Sequence, residues 1–147
     1  MSGADQQLAR RAVASMLAAD AFSHWLGVHV TSIRPSEVTA RMTVRAEMTN
    51  GFGVCHGGVT FALADSALAF ASNTHGQVTM SVENSISYPA PVHAGDVLTA
   101  HAVEETATRR LAFYRVRVTN QHDAVVALFR GTVYRTDRPL DLTAEPA

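Results

Sequence analysis

Asp65 is the residue whose type and position in this chain most clearly suggest chemistry. It is the only ionisable side chain between His56 and His75, and the surrounding stretch Val59 to Ala71 has apolar residues on every helical face. A helix of this kind is buried inside a protein, where a carboxylate is costly unless it is paired, hydrogen-bonded or neutral. Asp65 is therefore a candidate catalytic group, although an Asp that only hydrogen-bonds a neighbouring backbone group would show the same pattern.

A glycine-rich loop, Asn50 to Gly58, leads directly into this helix. The first turn of a helix leaves N–H groups unpaired at the positive end of the helix dipole, and glycine lets a ligand approach the backbone closely. Such N–H groups can bind an anion or polarise a developing oxyanion. Gly57 and Gly58 are thus candidate hydrogen-bond donors to a substrate.

Gly57 and Asp65 are too far apart in one chain to act on the same carbonyl carbon. They are eight residues apart, or about 12 Å along a helix that rises about 1.5 Å per residue. If they cooperate, two copies of the helix must lie antiparallel, each contributing one part. We infer a homodimer with two equivalent sites at its interface, as a two-fold axis would generate.

Composition limits the classes of function that this chain can have. Its 147 residues are 47% hydrophobic and 17% charged, as expected for one folded domain. The net charge of −1, without basic runs, disfavours nucleic-acid binding as a main role, and no apolar stretch approaches the roughly 18 charge-free residues of a membrane span. The single cysteine, Cys55, excludes an internal disulfide. With no signal-peptide pattern at the start, we expect a cytoplasmic protein.

The periodicity of apolar residues predicts an α+β domain. Helical spacing predicts an amphipathic helix at Leu8 to Phe22 and a long helix at about His56 to Asn73. Alternation predicts six strands, at 28–33, 37–45, 78–88, 96–107, 109–119 and 124–134. The pattern indicates a long antiparallel sheet wrapped round one buried helix, but it does not give the order of the strands.

Two of these strands and the C-terminal tail give further predictions. Val125 to Phe129 is apolar on both faces, which predicts a central strand covered on both sides. The tail from Thr136 is expected to be loose. In the strand at 78–88, strict alternation places five side chains on one face: Val78, Met80, Val82, Ile86 and Tyr88.

The combined motifs resemble those of a known family. Asn50-Gly51, His56-Gly57-Gly58 and Ala62 to Ala67, with Ala94-Gly95-Asp96 and Ala127 to Gly131, resemble the hotdog-fold acyl-CoA thioesterases, in particular the phenylacetyl-CoA branch of phenylacetic acid degradation. The resemblance covers residues 21–134. It implies a single hotdog domain over 1–147, with a curved antiparallel sheet around the central helix, a short N-terminal helix and an ordered core at about 5–135. It also implies a dimer with a continuous sheet, often doubled to a homotetramer.

The resemblance implies a role for each matching residue. Asp65 would be the nucleophile or the general base in hydrolysis of a small aromatic CoA ester, of the phenylacetyl or hydroxyphenylacetyl type, facing the Gly57 N–H of the partner subunit. His56 would hold the loop and the helix start, and Asn50 would orient substrate or water. No metal or cofactor is expected. Substrate-binding residues are expected at Phe52, Gly58, Val59, Leu63, Ser66, Arg109 and Arg110.

Some of these assignments have alternatives. Burial is expected to raise the pKa of Asp65, and a hydrogen bond, for example from Ser66 or from a backbone N–H, to lower it. Asn50 is also expected to line the acyl pocket. Arg109 and Arg110 either meet the phosphates or adenine of CoA or form a solvated hairpin edge.

Two positions depart from the family pattern. Phe52 follows Asn-Gly where close relatives can have a histidine, and Ala90 precedes Pro91 where they can have an arginine. Phe52 would make the acyl pocket more apolar, and Ala90 would remove a phosphate contact or an ion pair. Both departures affect the identity of the substrate more than the class of reaction.

Other functions stay open as alternatives. A hydratase or dehydratase would pair a histidine with a carboxylate, which His56 and Asp65 could do across two subunits, and a non-catalytic acyl-CoA-binding module is a third class. Cys55 is not expected to act with His56, because adjacent side chains rarely point at each other. The seven histidines show no metal-ligand spacing, and Gly51-Phe52-Gly53 does not complete a dinucleotide-binding motif.

Overall fold

Two helices at the start of the chain, α1 (Gly3–Ala19) and α2 (Ala21–Leu26), each begin at a side-chain cap. In the computed structural model, which describes residues 1–143, the Ser2 hydroxyl accepts the Asp5 N–H at 3.1 Å and the Asp20 carboxylate accepts the Ser23 N–H at 2.9 Å. Such caps pair N–H groups that a helix start leaves unpaired. Asp20 therefore separates two helices where the sequence predicted one.

Six antiparallel strands form one sheet in the order β1-β2-β4-β5-β6-β3. All six predicted strands are present. The third strand crosses to the far edge and pairs with the sixth, so that the fourth lies beside the second, an order that alternation could not give. The strands are β1 (His29–Arg34), β2 (Glu37–Thr43), β3 (Gln77–Ser87), β4 (Val97–Ala107), β5 (Leu111–Thr119) and β6 (Val125–Pro139).

The long helix α3 (Gly57–Ser72) packs against strands β2 to β6 of this sheet, as predicted. Leu63, Leu68 and Phe70 are fully buried, and Phe61 meets Phe129 of β6 edge to face at 5.2 Å between ring centroids. Alanines between these large side chains let the strands approach the helix. A short 3-10 helix (Ala46–Met48), which the pattern did not predict, precedes the glycine-rich loop. Within residues 1–143, every helix is too short or too polar to span a membrane.

Strand β6 continues beyond its predicted end. It runs to Pro139, the Thr136 hydroxyl donates to the Val78 carbonyl at 2.6 Å, and the Leu140 N–H donates to the Gly76 carbonyl at 2.8 Å. The prediction of a loose tail from Thr136 is therefore wrong at this end of the strand, because strand pairing outweighs the polar composition. The rest of that prediction, residues 144–147, lies outside the described residues.

The outer face of β6 is not covered within one chain. The strand lies between β5 and β3, away from either edge of the sheet. Leu128, however, is 47% exposed, so the prediction that both faces of Val125 to Phe129 are covered is wrong for the single chain.

A β-bulge at Val82 reverses the alternation of β3. The register with β6 shifts between Ser81 and Glu83, and a bulge of this kind turns the following side chains to the other face. Thr79 bonds α3 before the bulge, and Asn84 does so after it. Met80 and Val82 are 59% and 60% exposed. The prediction that they share a face with Ile86, which packs against the core, is therefore wrong.

Candidate active site

Asp65 lies half-buried on the side of α3 that faces the edge strand β3. The Asn84 side-chain amide donates to Asp65 Oδ1 at 3.1 Å. Burial raises the pKa of the Asp65 carboxyl above its ordinary value of 3.8, and hydrogen bonding from Asn84 and Ser81 acts in the opposite direction. A half-buried carboxylate held by one amide combines a raised proton affinity with a fixed orientation, as a general base or a nucleophile requires.

Ser66 does not take the role predicted for it. Its hydroxyl lies 3.1 Å from the Ser23 hydroxyl of α2, because successive residues of a helix point about 100° apart and the residue after Asp65 faces a different neighbour. Asn84 and Ser81 of β3 take the place that was expected for Ser66.

The start of α3 is held by His56, as predicted. Its Nδ1 accepts the Gly58 N–H at 2.9 Å, which requires that Nδ1 carry no proton. The Tyr88 hydroxyl donates to the Gly57 carbonyl at 2.8 Å. The Gly57 N–H meets no acceptor among residues 1–143, so this donor at the positive end of the helix is free to bind an oxygen atom.

The glycine-rich loop is folded around the Asn50 side chain. Asn50 Oδ1 accepts the N–H groups of Phe52 at 2.9 Å and Val54 at 3.4 Å, and Gly53 adopts a positive φ of 77°. Its oxygen therefore shapes the loop, because an Asn side chain readily closes a turn on itself, and the role expected of Asn50 toward substrate or water stays a prediction. Phe52 at the loop tip is 93% exposed and packs against almost nothing in its own chain.

A cleft of about 230 Å³ opens beside Gly57. The lining differs from the predicted acyl pocket: Leu63 is fully buried in the core, and Val59 does not border the cleft. Its walls are Val54, Cys55, Gly57, Thr60, Tyr88, Ala90, Pro91 and Val92.

Cys55 lines this cleft as a packing residue. Burial raises the pKa of its thiol above the ordinary value of 9.0, which disfavours the thiolate that a nucleophilic cysteine needs. Its Sγ contacts the His56 carbonyl at 3.5 Å, whereas the His56 ring is directed to the helix start. The expectation that these two residues do not act together is consistent with this arrangement.

Arg109 and Arg110 lie in the turn between β4 and β5, outside the surroundings of Asp65 and Gly57 described above. Arg109 is exposed, and Arg110 pairs with Asp137 at 3.0 Å and lies over the Tyr134 ring at 5.9 Å. Both residues lie at a solvated hairpin edge, and Arg110 is already paired there with Asp137.

Three residues of this region were not predicted: Ser81, Asn84 and Tyr88. Ser81 and Asn84 are three residues apart, so regular alternation places them on opposite faces, and the bulge at Val82 is what turns both toward Asp65. Tyr88 follows the last residue of β3 and reaches the helix start from there.

Gly131 of β6 is packed too tightly for any side chain. A Cβ atom there would lie 2.7 Å from both Asn84 Oδ1 and Leu68 Cδ2. We expect Gly131→Ala to lower the free energy of unfolding by about 1–3 kcal/mol through overpacking, measured by urea denaturation. Gly51→Ala is the matched control, because its Cβ would meet nothing within 4 Å. Equal stability of the two variants would contradict this packing.

Comparison with known proteins identifies the family. The model of the thioesterase superfamily matches residues 52–127. Acyl-coenzyme A thioesterase PaaI of Escherichia coli is 38% identical over 116 residues, which cover 79% of this chain and 83% of that protein. Acyl-coenzyme A thioesterase 13 of Homo sapiens is 35% identical over 120 residues, with 78% and 84% covered.

Solved structures agree with the sequence comparison. The structure of E. coli PaaI, from the phenylacetic acid degradation operon, superposes with a TM-score of 0.90 over 92% of this chain and 99% of that one, at 34% identity. A Streptococcus mutans protein solved with acetyl CoA superposes with a TM-score of 0.74 over 78% and 91%, at 25% identity. The predicted hotdog fold, family branch and enzyme class, acyl-CoA thioesterase, are confirmed, and the chain belongs to the thioesterase superfamily.

Proposed function

We propose that a homodimer of this chain hydrolyses the thioester bond of small aromatic CoA esters, of the phenylacetyl or hydroxyphenylacetyl type. The observation that carries the proposal is the arrangement of α3. This helix carries the half-buried Asp65 carboxylate, which accepts a hydrogen bond from Asn84 of β3, and the N–H of its first residue, Gly57, is free. The similarity to PaaI supports the aromatic acyl group. The apolar Ala90 in the cleft beside Gly57 is compatible with such a group.

The reaction uses the start of α3 in one subunit and Asp65, in the middle of α3, of the other. The thioester carbonyl oxygen accepts the Gly57 N–H, and a donor of this kind contributes about 3 kcal/mol to the stabilisation of a developing oxyanion. Asp65 of the partner subunit either takes a proton from a water whose oxygen bonds to the carbonyl carbon, or attacks that carbon itself. In either case, collapse of the tetrahedral intermediate breaks the C–S bond, and CoA leaves as a thiolate that takes up a proton. Attack by Asp65 itself leaves an anhydride between the acyl group and Asp65, which water then hydrolyses.

The edge strand β3 is the surface we propose for dimerisation. It is 11 residues long and pairs on one side with β6, and its other side pairs with no described strand. Long exposed edges favour pairing with another chain. Met80 and its cross-strand neighbour Tyr134 are 59% and 41% exposed. Asp65 contacts β3 through Asn84, and Gly57 contacts Tyr88 just after β3, so both parts of the site lie toward this edge.

Introducing a charge at this edge is expected to separate the subunits. Val82→Lys should convert the dimer to a monomer, because a lysine on an edge strand opposes strand addition, and hydrolysis should fall with it. Light scattering after size-exclusion chromatography measures the mass. Ser32→Lys, an exposed position on the opposite edge strand β1, is the control that should stay dimeric. A Val82→Lys protein that remains a dimer would contradict this interface.

The test of the function is thiol release from a panel of CoA esters: phenylacetyl, hydroxyphenylacetyl, benzoyl, and short and medium acyl. Fast release from an aromatic ester by the wild type, lost in Asp65→Asn, supports the proposal. Release from every ester at similar rates would make the enzyme a broad acyl-CoA hydrolase. Hydration of crotonyl-CoA without hydrolysis would point to a hydratase, and binding without turnover to a binding module.

Several expectations from the sequence stay predictions. They are a cytoplasmic location, catalysis without a metal or cofactor, a CoA contact by Arg109, and a tetramer built from two dimers.

A further inference from the structure

We infer that Asn84 is a positioning residue for Asp65, which holds the carboxylate by donating a hydrogen bond to its Oδ1. The inference rests on the proposed function and adds to it a residue from another element.

The orientation of the Asn84 amide follows from the chemistry of its partner. An ionised carboxylate only accepts hydrogen bonds, so the Nδ2 group must face it and the Oδ1 atom must face away. The observed distance from Nδ2 to Asp65 Oδ1 is 3.1 Å. Ser81, the other side chain that hydrogen-bonds this carboxyl, also lies on β3.

The other end of the same amide is left unsatisfied. Asn84 Oδ1 is buried and has no hydrogen-bond partner among the described residues, and such an acceptor costs stability. It lies against Gly131, where even a Cβ atom would approach it to 2.7 Å. A residue chosen for stability alone would be apolar here. An unsatisfied buried group of this kind calls for an explanation, and the hold on Asp65 provides one.

Local packing makes Asn84 able to reach Asp65 from the edge strand. The bulge at Val82 allows both Ser81 and Asn84 to face α3, and the glycine at 131 leaves room for the amide between β6 and Leu68. The hydrogen bond therefore depends on the bulge in β3, on Gly131 in β6 and on the position of Leu68 in α3.

Among residues 1–143, no charged side chain contributes to the pKa shift of the Asp65 carboxyl. The causes of the shift are burial, which raises the pKa, and hydrogen bonds from Asn84 and Ser81, which lower it. Glu83 is exposed, and Tyr114 bonds Glu104 at 2.9 Å. The titratable groups on the elements packed against α3 are Asp5, Arg10, Arg11 and His24 on the helices, and Glu37, Arg41, Glu83, His101, Glu104, Glu105, Tyr114, Arg115, Arg117, Arg130, Tyr134, Arg135, Asp137 and Arg138 on the strands.

The test is the pH profile of kcat/KM for Asn84→Leu, which keeps the approximate volume and removes both the donor and the unpaired acceptor. Loss of the hydrogen bond should move the acid limb to higher pH and lower kcat/KM at neutral pH by about 10- to 100-fold, the typical effect of a hydrogen bond to a charged group. Thr79→Val is the matched control, because Thr79 bonds Ser72 and Asn73 at the far end of α3. It should lower the melting temperature and leave the acid limb in place.

A second readout separates this inference from the proposed function. The titration of the Asp65 carboxyl, followed by 13C NMR in the wild type and in Asn84→Leu, needs no substrate. A titration at higher pH in the variant supports the hold of Asn84 on the carboxylate, and an unchanged titration in a folded variant overturns it. If the wild type hydrolyses no ester, the proposed function fails, and the NMR result alone decides the role of Asn84.

Discussion

Asp65→Asn is expected to lower kcat/KM for CoA thioesters by about 100- to 10,000-fold, the range by which a positioned acid or base contributes to catalysis. The amide that replaces the carboxylate has similar shape but can neither take a proton from water nor attack the carbonyl carbon. Thiol release from the best ester of the panel, over a range of substrate concentrations, measures the loss. A variant that keeps near-native kcat would remove Asp65 from the mechanism.

The stability of the same variant distinguishes a functional carboxylate from a structural one. Burial raises the pKa of Asp65 above 3.8 in the folded chain, so the folded state holds this proton more tightly than the unfolded state does. The contribution of Asp65 to stability is therefore fully present below pH 3.8 and is lost as the pH rises through the raised pKa. At neutral pH, the neutral Asn should leave the free energy of unfolding unchanged or raise it. A strongly destabilised variant would contradict this sign.

Gly57→Pro is expected to lower kcat by about 100- to 1,000-fold, the effect of removing one oxyanion donor. Proline has no N–H, so the substitution deletes the proposed donor. The fold should tolerate it, because proline is favoured at the first position of a helix and the preceding His56 has an extended ψ of 132° that suits a following proline. Steady-state thiol release gives the size of the effect.

Gly57→Ala is the matched control for this deletion. Both variants add a Cβ atom that would meet Tyr88 Cζ and the Tyr88 hydroxyl at 3.1 Å, but only alanine keeps the N–H group. Any loss shared by the two variants reports the crowding, and the additional loss in Gly57→Pro reports the donor. Equal activity of the two variants would show that the Gly57 N–H does not contact the substrate.

The main elements of the fold follow from residue patterns, and the differences have local causes. The α3 helix was predicted because its segment is apolar on every helical face, and the six strands were predicted from alternation and from the turns between them. The break between α1 and α2 depends on which side chain caps a helix, and Asp20 does so at 2.9 Å from the Ser23 N–H. The bulge in β3 and the extension of β6 to Pro139 depend on pairing with a neighbouring strand, which one strand's sequence does not contain.

The residues of the candidate site also fall into two groups: those that the sequence indicated and those that depend on contacts between elements. Asp65 and Gly57 stood out because a lone carboxylate and a glycine-rich helix start are unusual within one apolar segment, and the role of His56 was assigned from the family resemblance. Asn84 could not be assigned, since it reaches Asp65 only through the bulge. Ser66 was assigned wrongly, because its sequence neighbour Asp65 suggested a contact that the direction of the helix excludes. Distances along the chain identify candidate residues, whereas contacts between elements decide their partners.

The most direct test of a site shared between two subunits is to mix two inactive proteins, Asp65→Asn and Gly57→Pro, by refolding them together. Random pairing makes half of the dimers mixed, and each mixed dimer has one intact site of two, so about one quarter of wild-type activity should return. Each variant refolded alone is the control. Recovery of that size would show that Gly57 and Asp65 of different subunits form one site, and no recovery from a mixture shown to contain mixed dimers would contradict it.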